Sequence, residues 1–119
     1  MKYIGITTFC LALLASTGAN AHAFLERADP PVGSTTQGTP SELRLWFSEP
    51  LEAAFSSVEV ADADGRRVET LRPVVEAADK LLLRVPLAKL APGRYTVVWR
   101  AVSVDTHVSS GRFVFSVAP

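Results

Sequence analysis

The chain has 119 residues and 12 basic against 12 acidic side chains, so it carries no formal net charge. No charged block or basic stripe interrupts it, which leaves nucleic-acid binding by phosphate neutralisation and membrane binding through a polybasic patch without support. The length fits a single core, and the one cysteine, Cys10, cannot build a thiolate zinc site or a blue-copper centre.

Residues 1–21 have the form of a cleaved secretory signal. Lys2 precedes an apolar run from Ile4 to Ala15, and Ala19-Asn20-Ala21 is a small-x-small cleavage site. Cleavage after Ala21 makes His22 the mature terminus and removes Cys10. The remainder, His22 to Pro119, is expected to be one exported, soluble domain, periplasmic if the source is bacterial. A rival cut exists, because Ala21-His22-Ala23 also has the small-x-small form. With His22 first, its α-amine and imidazole Nδ1 together form a chelate that can close a six-membered ring on a metal.

The mature part is rich in strand signals. An edge strand is expected near Ala23 to Arg27, before Pro30-Pro31 and Pro40, which exclude central-strand pairing. Leu43, Leu45 and Phe47 alternate with polar or aromatic neighbours, a two-residue period. Glu52 to Ser56 has room for one helical turn. Val58 and Val60 begin a second alternating strand, Asp62-Ala63-Asp64-Gly65 is a turn, and Arg66 to Thr70 is expected to return as a hairpin. Leu81 to Val85 is a short strand stopped by Pro86. Tyr95, Val97 and Trp99 alternate, as do Phe113, Phe115 and Val117. About seven short strands favour an all-β sandwich. Leu90-Ala91-Pro92-Gly93-Arg94-Tyr95 has the form of a tyrosine corner, with the hydroxyl bonding back to nearby backbone. The aromatics Trp46, Phe47, Phe55, Trp99, Phe113 and Phe115 are assigned to the core by their spacing.

The chain has two histidines. The second, His107, stands in Asp105-Thr106-His107, between two strong strands. In an extended segment, side chains two apart face one site, and imidazole with carboxylate suits a borderline divalent ion. Taken alone, an Asp-x-His on a loop is more often a solvated turn. The placement of both histidines, one with a carboxylate, favours convergence on a metal. Glu49, in Phe47-Ser48-Glu49-Pro50, follows a buried-type strand and could reach the same end of the sandwich, although by itself it reads as an exposed loop acid.

With these residues placed, the chain resembles the CopC family of periplasmic copper-binding proteins. The resemblance runs from His22-Ala23-Phe24-Leu25 through Asp29-Pro30-Pro31-Val32-Gly33-Ser34 and Leu45-Trp46-Phe47-Ser48-Glu49-Pro50 to Ser103-Val104-Asp105-Thr106-His107 and Gly111-Arg112-Phe113-Val114-Phe115. It implies a seven-stranded, cupredoxin-like Greek-key sandwich or barrel. It implies one Cu(II) per mature chain, held by His22 through amine and imidazole, by Asp105 and by His107, with Glu49 beside the site. It further implies a non-enzymatic role in copper homeostasis or resistance, with an inner-membrane CopD-type protein as recipient, and a monomer is expected. Two departures stand out. Thr106 occupies a position where the family often has Gly, and the methionine-rich Cu(I) segment of some members is missing, since Met1 is the sole methionine. No Cu(I) site is therefore expected. Two other readings remain at this point: a histidine-brace copper monooxygenase, and a metal-free Ig-like adhesion or assembly module.

Overall fold

A computed structural model describes residues 23–69 and 72–119. The expected signal segment, His22, Thr70 and Leu71 lie outside these described residues. Within them the chain is all-β and forms two four-stranded sheets. The first sheet runs β1 (Leu25–Asp29), β3 (Glu42–Phe47), β6 (Leu82–Pro86), β5 (Val74–Val75), with antiparallel neighbours throughout. The second runs β2 (Thr35–Thr36), β8 (Val108–Val117), β7 (Gly93–Val102), β4 (Ser57–Ala61). There β2 lies parallel to β8, and the β8–β7 and β7–β4 pairs are antiparallel. The chain changes sheet at every step from β1 to β5 and again between β6 and β7, the crossing pattern of a Greek key.

The alternation read from sequence is what packs the two sheets together. Leu43, Leu45 and Phe47 of β3 and Leu83 and Val85 of β6 point inward from the first sheet. Val60, Val97 and Phe115 meet them from the second. Each such side chain taken from water contributes on the order of 1.5–3 kcal/mol. Phe47 meets Trp99 edge-on at 5.3 Å between ring centroids, and Tyr95 stacks on Phe115 at 5.5 Å. The tyrosine corner is present: the Tyr95 hydroxyl donates to the Ala91 carbonyl at 2.5 Å.

Four expectations need correction. The strand count is eight rather than seven among the described residues, because two-residue β2 and β5 add to the long strands. Arg66–Glu69 makes no full return strand. It leaves β4 after the single bridge Ala61–Arg67 and reaches the first sheet at Glu69–Leu87, so one short segment spans the gap between sheets. Trp46 is on the outer face, since the same period that buries Leu45 and Phe47 turns it out. There the Arg27 guanidinium covers its ring, 3.9 Å from the centroid. Phe55 is 64% exposed. It sits in the one-turn segment closed by Ser56 N–H to Glu52 carbonyl at 3.1 Å, where the strand period no longer applies.

The β7–β8 hairpin carries the Asp105–His107 loop, and its packing depends on Gly111. Gly111 faces Trp99 across the hairpin. A Cβ at Gly111 would lie 2.6 Å from Cζ2 of the buried indole. Gly111→Ala is therefore expected to cost about 1–3 kcal/mol through overpacking, measurable as a lower midpoint in urea unfolding. An unchanged midpoint would show that the indole moves aside freely.

Candidate metal centre

The hairpin loop between β7 and β8 is short and internally bonded. Ser103 N–H donates to the His107 carbonyl at 3.0 Å, and Thr106 N–H donates to the Ser103 carbonyl at 2.9 Å. Two further bonds fix the loop to the segment after β3: Val104 N–H to the Pro50 carbonyl at 3.0 Å, and Glu52 N–H to the Val102 carbonyl at 2.9 Å. Turning the chain this tightly puts Thr106 at φ +72°. That is left-handed backbone, which a β-branched residue adopts only at a cost of about 1–2 kcal/mol. Thr106→Gly should relieve it and raise stability by about 1 kcal/mol, read as a higher thermal midpoint of the metal-free protein; a lower midpoint would show that Thr106 is not strained.

The turn brings the two sequence-predicted donors together. His107 Nδ1 lies 3.2 Å from Asp105 Oδ1, and both side chains are about half exposed, at 48% and 53%. The Ser103 hydroxyl, itself fully buried, donates to the same Oδ1. Ser103 first, and His107 second, hold the Asp105 carboxyl below the usual carboxylate range. Asp105 is thus ionised well below neutrality. With Nδ1 turned to Asp105, the imidazole would present Nε2 to a metal and the carboxylate would present Oδ2.

The start of the described chain reaches the same end of the sandwich. The Ser109 hydroxyl, two residues past His107, donates to the carbonyl of Ala23. Ala23 is fully buried. The next residue is fastened from the other sheet: Phe24 N–H donates to Ser48 Oγ at 2.8 Å, and Ser48 N–H to the Phe24 carbonyl at 2.9 Å. Glu49 lies between two anchored neighbours, Ser48 bonded to Phe24 and Pro50 bonded to Val104, and is half-buried rather than a fully exposed loop acid.

Among the described residues, Asp105 and His107 form a two-donor set and no group of three acids, histidines or cysteines occurs. The third candidate, His22, lies outside them, bonded directly to the anchored Ala23. A groove of about 790 Å³ along the outer edge of β4, among Phe55, Val58, Glu59, Arg67 and Arg72, holds none of the candidate ligands. Sequence reasoning missed Ser103 and Ser109. Ser103 carried a faint signal, as a small hydroxyl residue two before the candidate ligand. Ser109 carried none, because its partner is 86 positions away.

The CopC domain family matches residues 25–118. Protein YobA of Escherichia coli K12 is 38% identical over 98 residues, spanning 82% of this chain and 79% of that protein. Copper resistance protein C of Pseudomonas syringae pv. tomato is 34% identical over 118 residues, spanning 94% and 93%. The crystal structure of CopC from Methylosinus trichosporium OB3b superposes with a TM-score of 0.77 at 31% identity, over 82% of this chain and 95% of that one.

Proposed function

The chain belongs to the CopC family, and from that membership we propose that it is an exported copper-binding protein of the resistance type that holds one Cu(II) through His22, Asp105 and His107. Family members are copper-binding resistance proteins and not enzymes, which removes the monooxygenase and the metal-free module as competing readings. One observation carries the ligand assignment: Asp105 and His107 meet at 3.2 Å on the end of the sandwich where Ser109 holds Ala23.

Three nitrogens and one carboxylate oxygen make the tetragonal set that Cu(II) prefers, and Cu(II) heads the first-row affinity order. Glu49, whose neighbours Ser48 and Pro50 are bonded to Phe24 and Val104, is the acid assigned to orient a ligand or a bound water. Cleavage after Ala21 is the cut that fits the fold. Cleavage after Ala23 would delete a fully buried residue and leave the Ser109 hydroxyl without its carbonyl. The mature protein is periplasmic and monomeric in this reading.

Delivery to a CopD-type membrane partner is supported by how open the site is. Both described donors are half exposed, and exposed Phe24, Val104 and Val108 stand beside them, giving a recipient apolar surface to touch. Titrating the processed protein with Cu(II), followed by EPR, tests the whole reading; one equivalent bound with a nitrogen-rich tetragonal spectrum is expected, and no specific binding would refute it.

Cu(I) should find no specific site. With Met1 and Cys10 both in the signal segment, the mature chain has no soft donor. Reduction by ascorbate should release the ion to a Cu(I) chelator such as bathocuproine. Retention against that chelator would show the donor argument to be wrong.

A further inference from the structure

We infer that Ser109 is a positioning residue for the metal: its hydroxyl fastens the N-terminal ligand to the sheet that carries His107. The inference rests on the assignment of His22 as a ligand and adds a residue to it.

The geometry is specific. The first strand, β1, belongs to one sheet, whereas the Asp105–His107 loop joins β7 and β8 of the other. Backbone pairing with β3 therefore fixes the beginning of the chain only relative to the first sheet. Ser48 extends that attachment by one residue, at Phe24, and Ser48 also follows β3. The Ser109 bond to Ala23 is different, because Ser109 lies in β8, paired with Ala101 of β7. It ties the residue next to His22 across the gap between sheets. Consecutive Cα atoms are about 3.8 Å apart, so a residue joined to Ala23 begins within one peptide of a point that is hydrogen-bonded two positions from His107.

A hydroxyl is suited to this. The Ala23 carbonyl is part of a fully buried residue, and a buried acceptor without a donor is unfavourable. Ser109 satisfies that acceptor and sets the position of the chain end in the same contact. A ligand held in place before the metal arrives loses less freedom on binding. Without the hydroxyl, His22 would still be present but would have to be ordered by the metal itself.

The test uses the processed protein, with His22 first, and a matched pair of variants, Ser109→Thr and Ser109→Val. The two side chains have nearly the same shape, and only Thr keeps the donor. Cu(II) affinity is measured by competition with a chelator. Ser109→Val is expected to bind roughly 10-fold more weakly, in the range seen when an outer-shell partner is lost, with Ser109→Thr close to the parent. The same pair is then measured in a protein with one residue added before His22, where the amine chelate cannot form. There the difference between Val and Thr should shrink, because Ser109 acts through a ligand that has lost its amine. Circular dichroism and thermal melting of the metal-free variants check the fold. Should Ser109→Val fail to fold, Ser109→Ala takes its place.

Equal affinity of the Val and Thr variants in the processed protein overturns the inference. So does an equal Val penalty in both backgrounds, which would mark a general structural effect. If the added residue alone leaves affinity unchanged, the failure lies in the His22 assignment, and the role of Ser109 falls with it.

Discussion

One residue added before His22 is expected to lower Cu(II) affinity by roughly 100- to 10,000-fold, the range lost when one of two linked attachment points is removed. The fold should be unchanged. In the extended protein the nitrogen of His22 belongs to an amide, which is a poor donor unless deprotonated. The imidazole remains but binds alone, because the nitrogen at the other end of the chelate arm no longer donates. The two proteins should also differ in pH response. A free α-amine has a pKa of about 7.7–8.0 and must lose its proton to bind. Affinity of the processed protein should therefore rise as pH increases across neutrality. Asp105 adds nothing to that rise, because Ser103 and His107 keep its carboxyl below the usual range and it is already ionised. The extended protein should show a shallower pH dependence. Isothermal titration at several pH values reads both effects. Equal affinities would remove the amine from the ligand set and with it the central claim about this site.

His107→Ala should have the second-largest effect, a loss of more than about 100-fold, exceeding what outer-shell changes produce. The chain has only two histidines, so no other imidazole can move into the vacancy. The substitution also deprives Asp105 of the ring 3.2 Å away that helps keep it ionised and in place. Asp105→Ala should weaken binding less, because it leaves all three nitrogens, while changing the Cu(II) EPR spectrum. If His107→Ala retains both the affinity and the spectrum, another group is the ligand.

The core was legible because strands announce themselves by a period of two. Leu43, Leu45, Phe47, Val97 and Phe115 are all buried where the alternation places them. The same period turns Trp46 outward, against its assignment to the core with the other aromatics, and Arg27 covers it from the solvent side. Phe55 shows where the rule ends, since a single turn has no alternation to read. Arg66–Glu69 resembled a returning strand because local pattern does not tell which sheet a segment will join. At the site, Asp105 and His107 were visible as a local pair, and the structure brings them together. Ser109 was not visible, because its meaning depends on a partner at the far end of the chain. The left-handed backbone at Thr106 was equally hidden, because a β-branched residue gives no local sign of a positive φ.

Membership of His22 in the ligand set would have a mechanical consequence. An ion held by His22 and by Asp105 and His107 would be a cross-link in a chain whose one cysteine, Cys10, has no second thiol to make one. A covalent bridge closing a loop of about 80 residues would remove roughly 4.5 kcal/mol of freedom from the unfolded chain. A tightly held ion acts on the same span, reversibly. Loading the cargo would then clamp the leading strand to the opposite sheet, and surrendering it would leave that strand held by hydrogen bonds alone. The empty and full forms should differ most in how readily a protease opens the first strand, so that a recipient able to engage the loosened end could distinguish a carrier that still has something to give from one that does not.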